Sequence, residues 1–163
     1  LILIESNFGP QVLGFVLLRV LPMGTSPEGL AFLAENGAKE GVFTLASGLQ
    51  YTVIRKAPLG AKSPTANSPC ECHYKGTLID GTVFDSSYKR GKPATFAPNQ
   101  VVKGWTEAMQ LMGEGDMWEL YLPSELGYGD RQRGQFITPG AVLVFTLEII
   151  TVQWGSKPKP DPK

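Results

Sequence analysis

The side chains that most often carry covalent or metal chemistry are scarce in this sequence. The chain has one histidine, His73, and two cysteines, Cys70 and Cys72. One histidine rules out a multi-histidine metal site, and cysteines at C-x-C spacing share one face of a strand rather than forming a zinc knuckle. We interpret both thiols as small buried side chains. Neither Ser86 nor Ser124 has a histidine suitably placed for a nucleophilic triad, so we expect no nucleophilic chemistry, no metal and no cofactor.

Length and charge limit the classes of partner. The chain has 163 residues, with 15 lysines and arginines against 15 acidic residues. This balance argues against a nucleic-acid partner, because phosphate binding needs a surplus of basic side chains on one surface. The apolar run Val12–Leu21 is too short to span a bilayer and contains Arg19, so we expect it to pack against another surface. The acidic start of the chain, with Glu5, differs from the basic beginning of a signal peptide.

Residues 48–153 combine strand patterns with one helical pattern. Apolar residues recur every three or four positions from Trp105, which predicts a helix over residues 103–112. Asp80-Gly81 is typical of a hairpin turn. Alternating or apolar runs predict five strands: Leu49–Lys56, Cys70–Leu78, Val83–Asp85, Trp118–Leu122 and Ala141–Val152. The sequence therefore predicts an α+β fold, an antiparallel twisted β-sheet wrapped around one short helix.

The two ends of the chain have different patterns. Residues 1–46 are predicted to form an N-terminal arm, followed by the main domain over residues 47–155. Within the arm, Ser26 is a typical N-cap and Pro27 a typical first helical residue, so a helix is expected from Pro27 to about Lys39. Such a helix is marginal alone and needs a surface on which to pack. Prolines alternate with charges over residues 156–163, which predicts a disordered, solvated tail.

Six short motifs in this domain occur in the order found in one known family. They are His73-Tyr74-Lys75-Gly76, Asp80–Ser87, Val101–Trp105, Leu126–Gly129, Ile137–Pro139 and Leu143–Phe145. Together these segments resemble FKBP-type peptidyl-prolyl cis–trans isomerases, or rotamases. The resemblance implies an FKBP-like fold, isomerisation of Xaa-Pro bonds in polypeptides, and binding of rapamycin-like macrolides, whose pipecolyl ring resembles proline.

The resemblance also implies a role for each matched side chain. The implied catalytic residues are Asp85, Tyr128 and Tyr74. The implied substrate-binding residues are Tyr74, Phe84, Asp85, Val101, Val102, Trp105, Tyr128, Ile137 and Phe145. Trp105 would form the floor of a prolyl pocket, Ile137 would close it from a loop, and the Tyr128 hydroxyl and the Val102 N–H would hold substrate carbonyls. Asp85, held by the Tyr74 hydroxyl, would orient the substrate without acting as a base.

The same aromatic residues have a simpler interpretation. Taken alone, Trp105, Phe84 and Phe145 fit a core between a sheet and a helix, and Asp85 fits an exposed turn. Tyr74 alternates in phase with the two cysteines and so faces the helix, whereas His73 faces outward. A non-catalytic prolyl-peptide-binding or chaperone module is therefore the alternative function. The presence of all the implied catalytic side chains favours the enzyme.

The arm carries a narrower resemblance. Residues 32–36, 39–42 and 47–51 resemble the junction in macrophage infectivity potentiator proteins, which are secreted or surface FKBPs with a helical N-terminal extension. This implies a secreted or cell-surface protein that is a monomer or a weak dimer through its arm.

Three departures from the family pattern lie around the implied pocket. Ala94 stands where many members have an aromatic residue, although Phe96 follows in phase. Thr138 replaces a proline, and Arg131 and Arg133 add charge to the loop after Tyr128. We expect a more open and more cationic rim, and an altered preference for residues before proline.

Overall fold

An antiparallel sheet curves around one short helix in the computed structural model, which describes residues 24–160. The predicted packing of Val12–Leu21 lies outside the described residues. The strands are β1 (Phe43–Thr44), β2 (Gln50–Arg55), β3 (Lys62–Ser63), β4 (Cys70–Thr77), β5 (Val83–Ser86), β6 (Ala94–Phe96), β7 (Met117–Leu122), β8 (Leu143–Val152) and β9 (Lys157–Pro158). The helices are α1 (Pro27–Gly37) and α2 (Lys103–Leu111). The predicted α+β fold is confirmed.

Strands β4 and β8 form the centre of the sheet. Within the described residues the main sheet has seven strands in the order β1-β2-β7-β8-β4-β5, and β6 also pairs with β4. Cys70, Cys72 and Tyr74 are buried on one face of β4, while His73 is only half-buried on the other. The alternation thus has the predicted phase. Because both central strands are paired on each side, their apolar side chains form a continuous surface against which the helix packs.

Helix α2 lies close against the sheet. It buries Trp105, Ala108 and Met109, as the spacing of apolar residues predicts. At Gly104 a Cβ atom would come within 2.5 Å of Leu122 on β7, so only glycine permits this approach. The close contact sets the depth at which the next residue, Trp105, enters the core.

The N-terminal helix docks through polar groups. Ser26 caps α1, its Oγ accepting the Gly29 N–H at 3.1 Å. At the other end, Asn36 Nδ2 donates to Gln50 Oε1 at 3.0 Å, and Gln50 Nε2 donates to the Leu33 carbonyl at 2.9 Å. The helix was predicted and is present, ending at Gly37. Since β1 pairs with β2, the sheet begins a few residues before the predicted boundary at residue 46.

The predicted disordered tail differs from the structure over residues 156–160. Lys157–Pro158 forms β9 and pairs with β3. Lys159 Nζ lies 2.5 Å from Oδ2 of Asp116, which is fully buried. The same carboxylate accepts the N–H groups of Ala57 and Gly113, each at 2.7 Å. A buried carboxylate needs a counter-charge, and this requirement orders a segment whose composition is typical of a solvated tail.

This ion pair yields a test of what orders the C-terminal segment. Replacing Lys159 by Met should leave Asp116 buried without its counter-charge, and should lower the free energy of unfolding by about 3 kcal/mol. Urea unfolding monitored by circular dichroism measures the change. Lys157→Met, at an exposed position of β9 two residues earlier, is the matched control. Equal stability of the two variants would contradict the role of the pair.

Candidate active site

A cavity of about 510 Å³ opens where the start of α2 meets the curved sheet. Its walls come from β4, β5, β6, β8, the residues before α2 and the loop after β7. The lining residues are Tyr74, Phe84, Asp85, Phe96, Gln100, Val101, Val102, Trp105, Tyr128, Arg133 and Phe145. Eight of the nine predicted substrate-binding residues are among them, so widely separated parts of the sequence converge on one concave surface.

Trp105 lies at the floor of this cavity. It is 4% exposed, and three aromatic side chains present near-perpendicular rings to its indole. The ring centroids of Phe145, Tyr74 and Phe96 lie 5.1, 5.2 and 6.0 Å away, with interplanar angles near 80°. Edge-to-face contacts of this kind are a favourable arrangement for aromatic quadrupoles. They hold the floor rigid and leave an apolar surface facing the opening.

The part of the wall formed by Phe84 and Phe145 depends on a glycine. The rings of Phe84 and Phe145 meet edge to face at 5.5 Å and 90°. A Cβ atom at Gly76 would lie 2.6 Å from Phe84 and 2.7 Å from Phe145. Gly76 therefore provides the space in which both rings pack, which explains the glycine of the His73–Gly76 motif.

A charged network lies on the rim. The Tyr74 hydroxyl donates to Asp85 Oδ2 at 2.7 Å, as the resemblance predicted. The Arg90 guanidinium pairs with Asp85 Oδ1, donates to the Tyr74 hydroxyl at 2.7 Å and lies 5.4 Å from the centroid of that ring. Arg90 was not among the predicted site residues. The only sequence signal for it is a basic residue five positions after the acid.

The network controls the ionisation of Asp85. Partial burial alone would raise the pKa of this carboxyl group. The hydrogen bonds from Tyr74 and Arg90, together with the positive charge of Arg90, outweigh burial and lower its pKa below the ordinary value. For Tyr74, burial and the neighbouring carboxylate raise the pKa of the phenol. At neutral pH the rim therefore presents an ionised Asp85 and a protonated Tyr74.

Two hydrogen-bond donors on the cavity wall have no acceptor within residues 24–160. Val102 is the N-cap residue of α2, so its N–H lies outside the hydrogen bonds of the helix. Tyr128 follows a short 3₁₀ turn over Ser124–Leu126. Its hydroxyl likewise makes no hydrogen bond in the described part of the chain. Both groups are the ones that the resemblance implied for holding substrate carbonyls.

Ile137 is the predicted site residue that does not line the cavity. Its side chain is buried in the hydrophobic core, and its backbone exchanges two hydrogen bonds with Arg133, at 2.9 and 3.2 Å. Its loop therefore supports Arg133, which does reach the cavity. Two departures from the family pattern also lie near this cavity. At the first, Phe96 lines the cavity and Ala94 does not. At the second, Thr138 is exposed to solvent.

Two features of other protein classes are absent from the described part of the chain. Among residues 24–160, no helix is long and apolar enough to cross a membrane. In the same range, no group of three or more His, Cys, Asp or Glu side chains is arranged to hold a metal ion.

The chain matches known proteins in both sequence and fold. A family described as "FKBP-type peptidyl-prolyl cis-trans isomerase" matches residues 60–150, and one described as "Domain amino terminal to FKBP-type peptidyl-prolyl isomerase" matches residues 24–53. A macrophage infectivity potentiator of Trypanosoma cruzi is 46% identical over 79% of this chain and 65% of its own length. Outer membrane protein MIP of Legionella longbeachae is 50% identical over 77% and 53%, respectively.

The solved structures agree. A peptidyl-prolyl cis-trans isomerase from Pseudomonas syringae superposes with a TM-score of 0.70 at 38% identity, covering 77% of this chain and 90% of that one. The chain spans 53% to 65% of the length of the two curated relatives. The motifs, the fold and these matches lead to one conclusion: this chain belongs to the FKBP-type peptidyl-prolyl cis–trans isomerase family.

Proposed function

We propose that this chain catalyses cis–trans isomerisation of Xaa-Pro bonds in polypeptides. The observation that carries the proposal is the Trp105-floored aromatic cavity with an ionised Asp85 at its rim and two unused donors on its wall. An apolar concave surface with a few converging polar groups is the usual form of a small-ligand site. A proline ring would occupy the apolar part of the cavity. The peptide carbonyls on either side of the ring would accept hydrogen bonds from the Val102 N–H and the Tyr128 hydroxyl.

The reaction needs a pocket of this kind and no reactive side chain. Rotation about the peptide C–N bond is opposed by a barrier of ~18–20 kcal/mol that comes from amide resonance. A twisted amide has lost this resonance and carries less charge on its oxygen. It therefore loses less solvation free energy than the planar amide when a dry pocket encloses it. An acceleration of 10⁵ to 10⁶ corresponds to about 7–8 kcal/mol.

Each polar group has a distinct part in this proposal. The Tyr128 hydroxyl and the Val102 N–H donate to carbonyls that flank the rotating bond, and so hold the substrate in one orientation. Asp85 places a fixed negative charge beside the rotating carbonyl and favours the orientation with the oxygen turned away. No proton is transferred, so Asp85 serves as an electrostatic and orienting group rather than as a general base. Arg90 and Tyr74 hold it in place.

A binding or chaperone role is the second candidate. Its specific support is apolar exposure near the arm: Leu30 on α1 is 57% exposed and Phe43 on β1 is 48% exposed. Exposed apolar side chains of this size can contact unfolded segments or a second copy of the chain. A monomer or a weak dimer formed through the arm, residues 1–46, remains our proposal, with residues 47–155 as the isomerase domain. The name of the Legionella relative supports a secreted or cell-surface location.

The roles of the polar groups predict the effect of removing them. Tyr128→Phe deletes one donor, and Asp85→Ala deletes the rim charge, so each should lower kcat/KM by about tenfold. Exchange of cis and trans signals of a short Xaa-Pro peptide in NMR measures the rate. Tyr88→Phe is the control, because that hydroxyl bonds Glu148 away from the cavity. An inactive wild type would contradict the proposal and leave the binding role.

The lowered pKa of Asp85 predicts the pH profile. A carboxylate with a depressed folded pKa is ionised above that value, and its contribution is lost only as pH falls through it. Therefore kcat/KM should stay constant from pH 8 to about 5. In Arg90→Gln the burial of Asp85 is opposed mainly by Tyr74, so the pKa should rise and activity should fall at a higher pH. Carboxyl ¹³C NMR titration of Asp85 checks this, and an unchanged titration would refute the role of Arg90.

A macrolide with a pipecolyl ring should occupy the same cavity. Contact with the indole should change Trp105 fluorescence on addition of rapamycin. Two other tryptophans contribute to the signal, so the test uses Trp118→Phe/Trp154→Phe. A signal that does not change, together with unchanged NMR shifts of cavity residues, would show that the macrolide does not bind there.

A further inference from the structure

A second cavity adjoins the aromatic one. It has a volume of about 570 Å³ and shares four wall residues with the first: Val101, Val102, Tyr128 and Arg133. Its other lining residues are Lys103, Glu125, Gly127, Arg131 and Gln132. We call this second cavity the cationic groove. Because the two cavities share a wall, a chain that enters the first has a continuous path into the second.

The groove carries three cations that have no acidic partner in the described residues. Lys103, Arg131 and Arg133 are exposed, and none forms a salt bridge within residues 24–160. The guanidinium of Arg133 lies 5.1 Å from the ring centroid of Tyr128, on the boundary between the cavities. A cation over an aromatic ring is held by attraction to the ring face. The contact places the Arg133 guanidinium against the ring whose hydroxyl is the proposed carbonyl-binding donor.

The acids of this region are already engaged by the N-terminal arm. Glu125, the one acid in the groove wall, accepts the Thr25 N–H at 3.0 Å and the Thr25 hydroxyl at 2.7 Å. These hydrogen bonds from Thr25 lower the pKa of Glu125, so it stays ionised but directed to the arm. Asp130 accepts the Gly24 N–H at 3.0 Å. Both carboxylates thus have partners other than the neighbouring arginines.

We propose that the cationic groove is a specificity subsite that binds an acidic side chain flanking the substrate proline. The inference rests on the proposed prolyl site, which anchors the substrate in the aromatic cavity. An extended peptide advances about 3.3 Å per residue, so a residue next to the proline reaches the shared wall. Arginine binds carboxylates through a planar fork of donors, and two arginines with a lysine offer this to Glu or Asp. The preferred substrates are prolyl segments with an acidic neighbour.

The competing interpretation is that these cations only keep the surface hydrated. It predicts that peptides with Glu and Gln beside the proline bind equally, because the two side chains have the same length. The proposal predicts a preference for Glu that weakens as salt screens the charges. Since the groove is open to solvent, the preference should be moderate, about threefold to fivefold at low ionic strength.

The first experiment uses two matched peptide pairs, with Glu or Gln immediately before or immediately after the proline. Dissociation constants come from ¹H–¹⁵N NMR titration, and kcat/KM from NMR exchange on the same samples. We expect the Glu peptide to bind about threefold tighter at one position or both, and the ratio to fall as NaCl rises to about 0.5 M. Equal dissociation constants at both positions would overturn the proposal.

The second experiment locates the preference. In Arg131→Gln/Arg133→Gln the Glu-to-Gln binding ratio should fall toward one. The control Lys39→Gln/Lys56→Gln removes the same net charge from exposed positions outside both cavities, and should keep the ratio. A ratio that persists in the arginine variant, or that falls equally in the control, would overturn the assignment of the preference to the cationic groove. Lys103→Gln provides an independent variant with the same expected direction.

The two readouts separate this inference from the proposed function. If no peptide shows accelerated exchange, the isomerase proposal fails, and the binding ratio still decides whether the groove selects acidic segments. If every peptide is isomerised but Glu and Gln bind equally, the isomerase proposal stands and the acidic subsite is refuted.

Discussion

The contact between Gly104 and Leu122 is the constraint on which the site depends. It lets α2 approach β7 so closely that Trp105, one residue later, reaches the rings of three strands. Those rings are at once the hydrophobic core and the cavity wall. The aromatic surface is consequently as rigid as the core itself, and a ligand need not order it. The pocket and the fold are one packing arrangement, so a substitution that disturbs one disturbs both.

The rim follows a different physical rule. Asp85 is partly exposed, and packing alone would not hold its side chain in one orientation. Tyr74 and Arg90 fix it by hydrogen bonds and charge, while Tyr74 is itself fixed by its edge contact with Trp105. The core therefore determines the position of the Asp85 charge, because Tyr74 contacts both Trp105 and Asp85. A solvent-facing carboxylate is thereby held as a preorganised negative charge at the cavity mouth.

The parts of the fold that sequence reasoning predicted are those with local signals. Alternation fixes the inward face of β4, and three-to-four spacing fixes the buried face of α2. The motif resemblance correctly paired Tyr74 with Asp85. The parts it missed depend on contacts distant along the chain. Lys159 is ordered by Asp116, 43 residues earlier, and no local pattern identifies which buried acid lacks a counter-charge. The contacts of Arg90 with Asp85 and Tyr74, and the burial of Ile137, likewise depend on the conformation of loops, which no local pattern predicts.

The described part of the arm is linked to the candidate site through hydrogen bonds to two acidic residues near the groove. Within the described part of the arm, residues 24–46, no residue lines either cavity, yet Gly24 and Thr25 donate hydrogen bonds to the carboxylates of Asp130 and Glu125. Without those hydrogen bonds, both acids would be free to pair with the arginines beside them and would cancel part of the groove's charge. The docked arm therefore keeps the rim cationic. If the groove is the proposed acidic subsite, the docking of Gly24 and Thr25 contributes to its selectivity by engaging these two carboxylates.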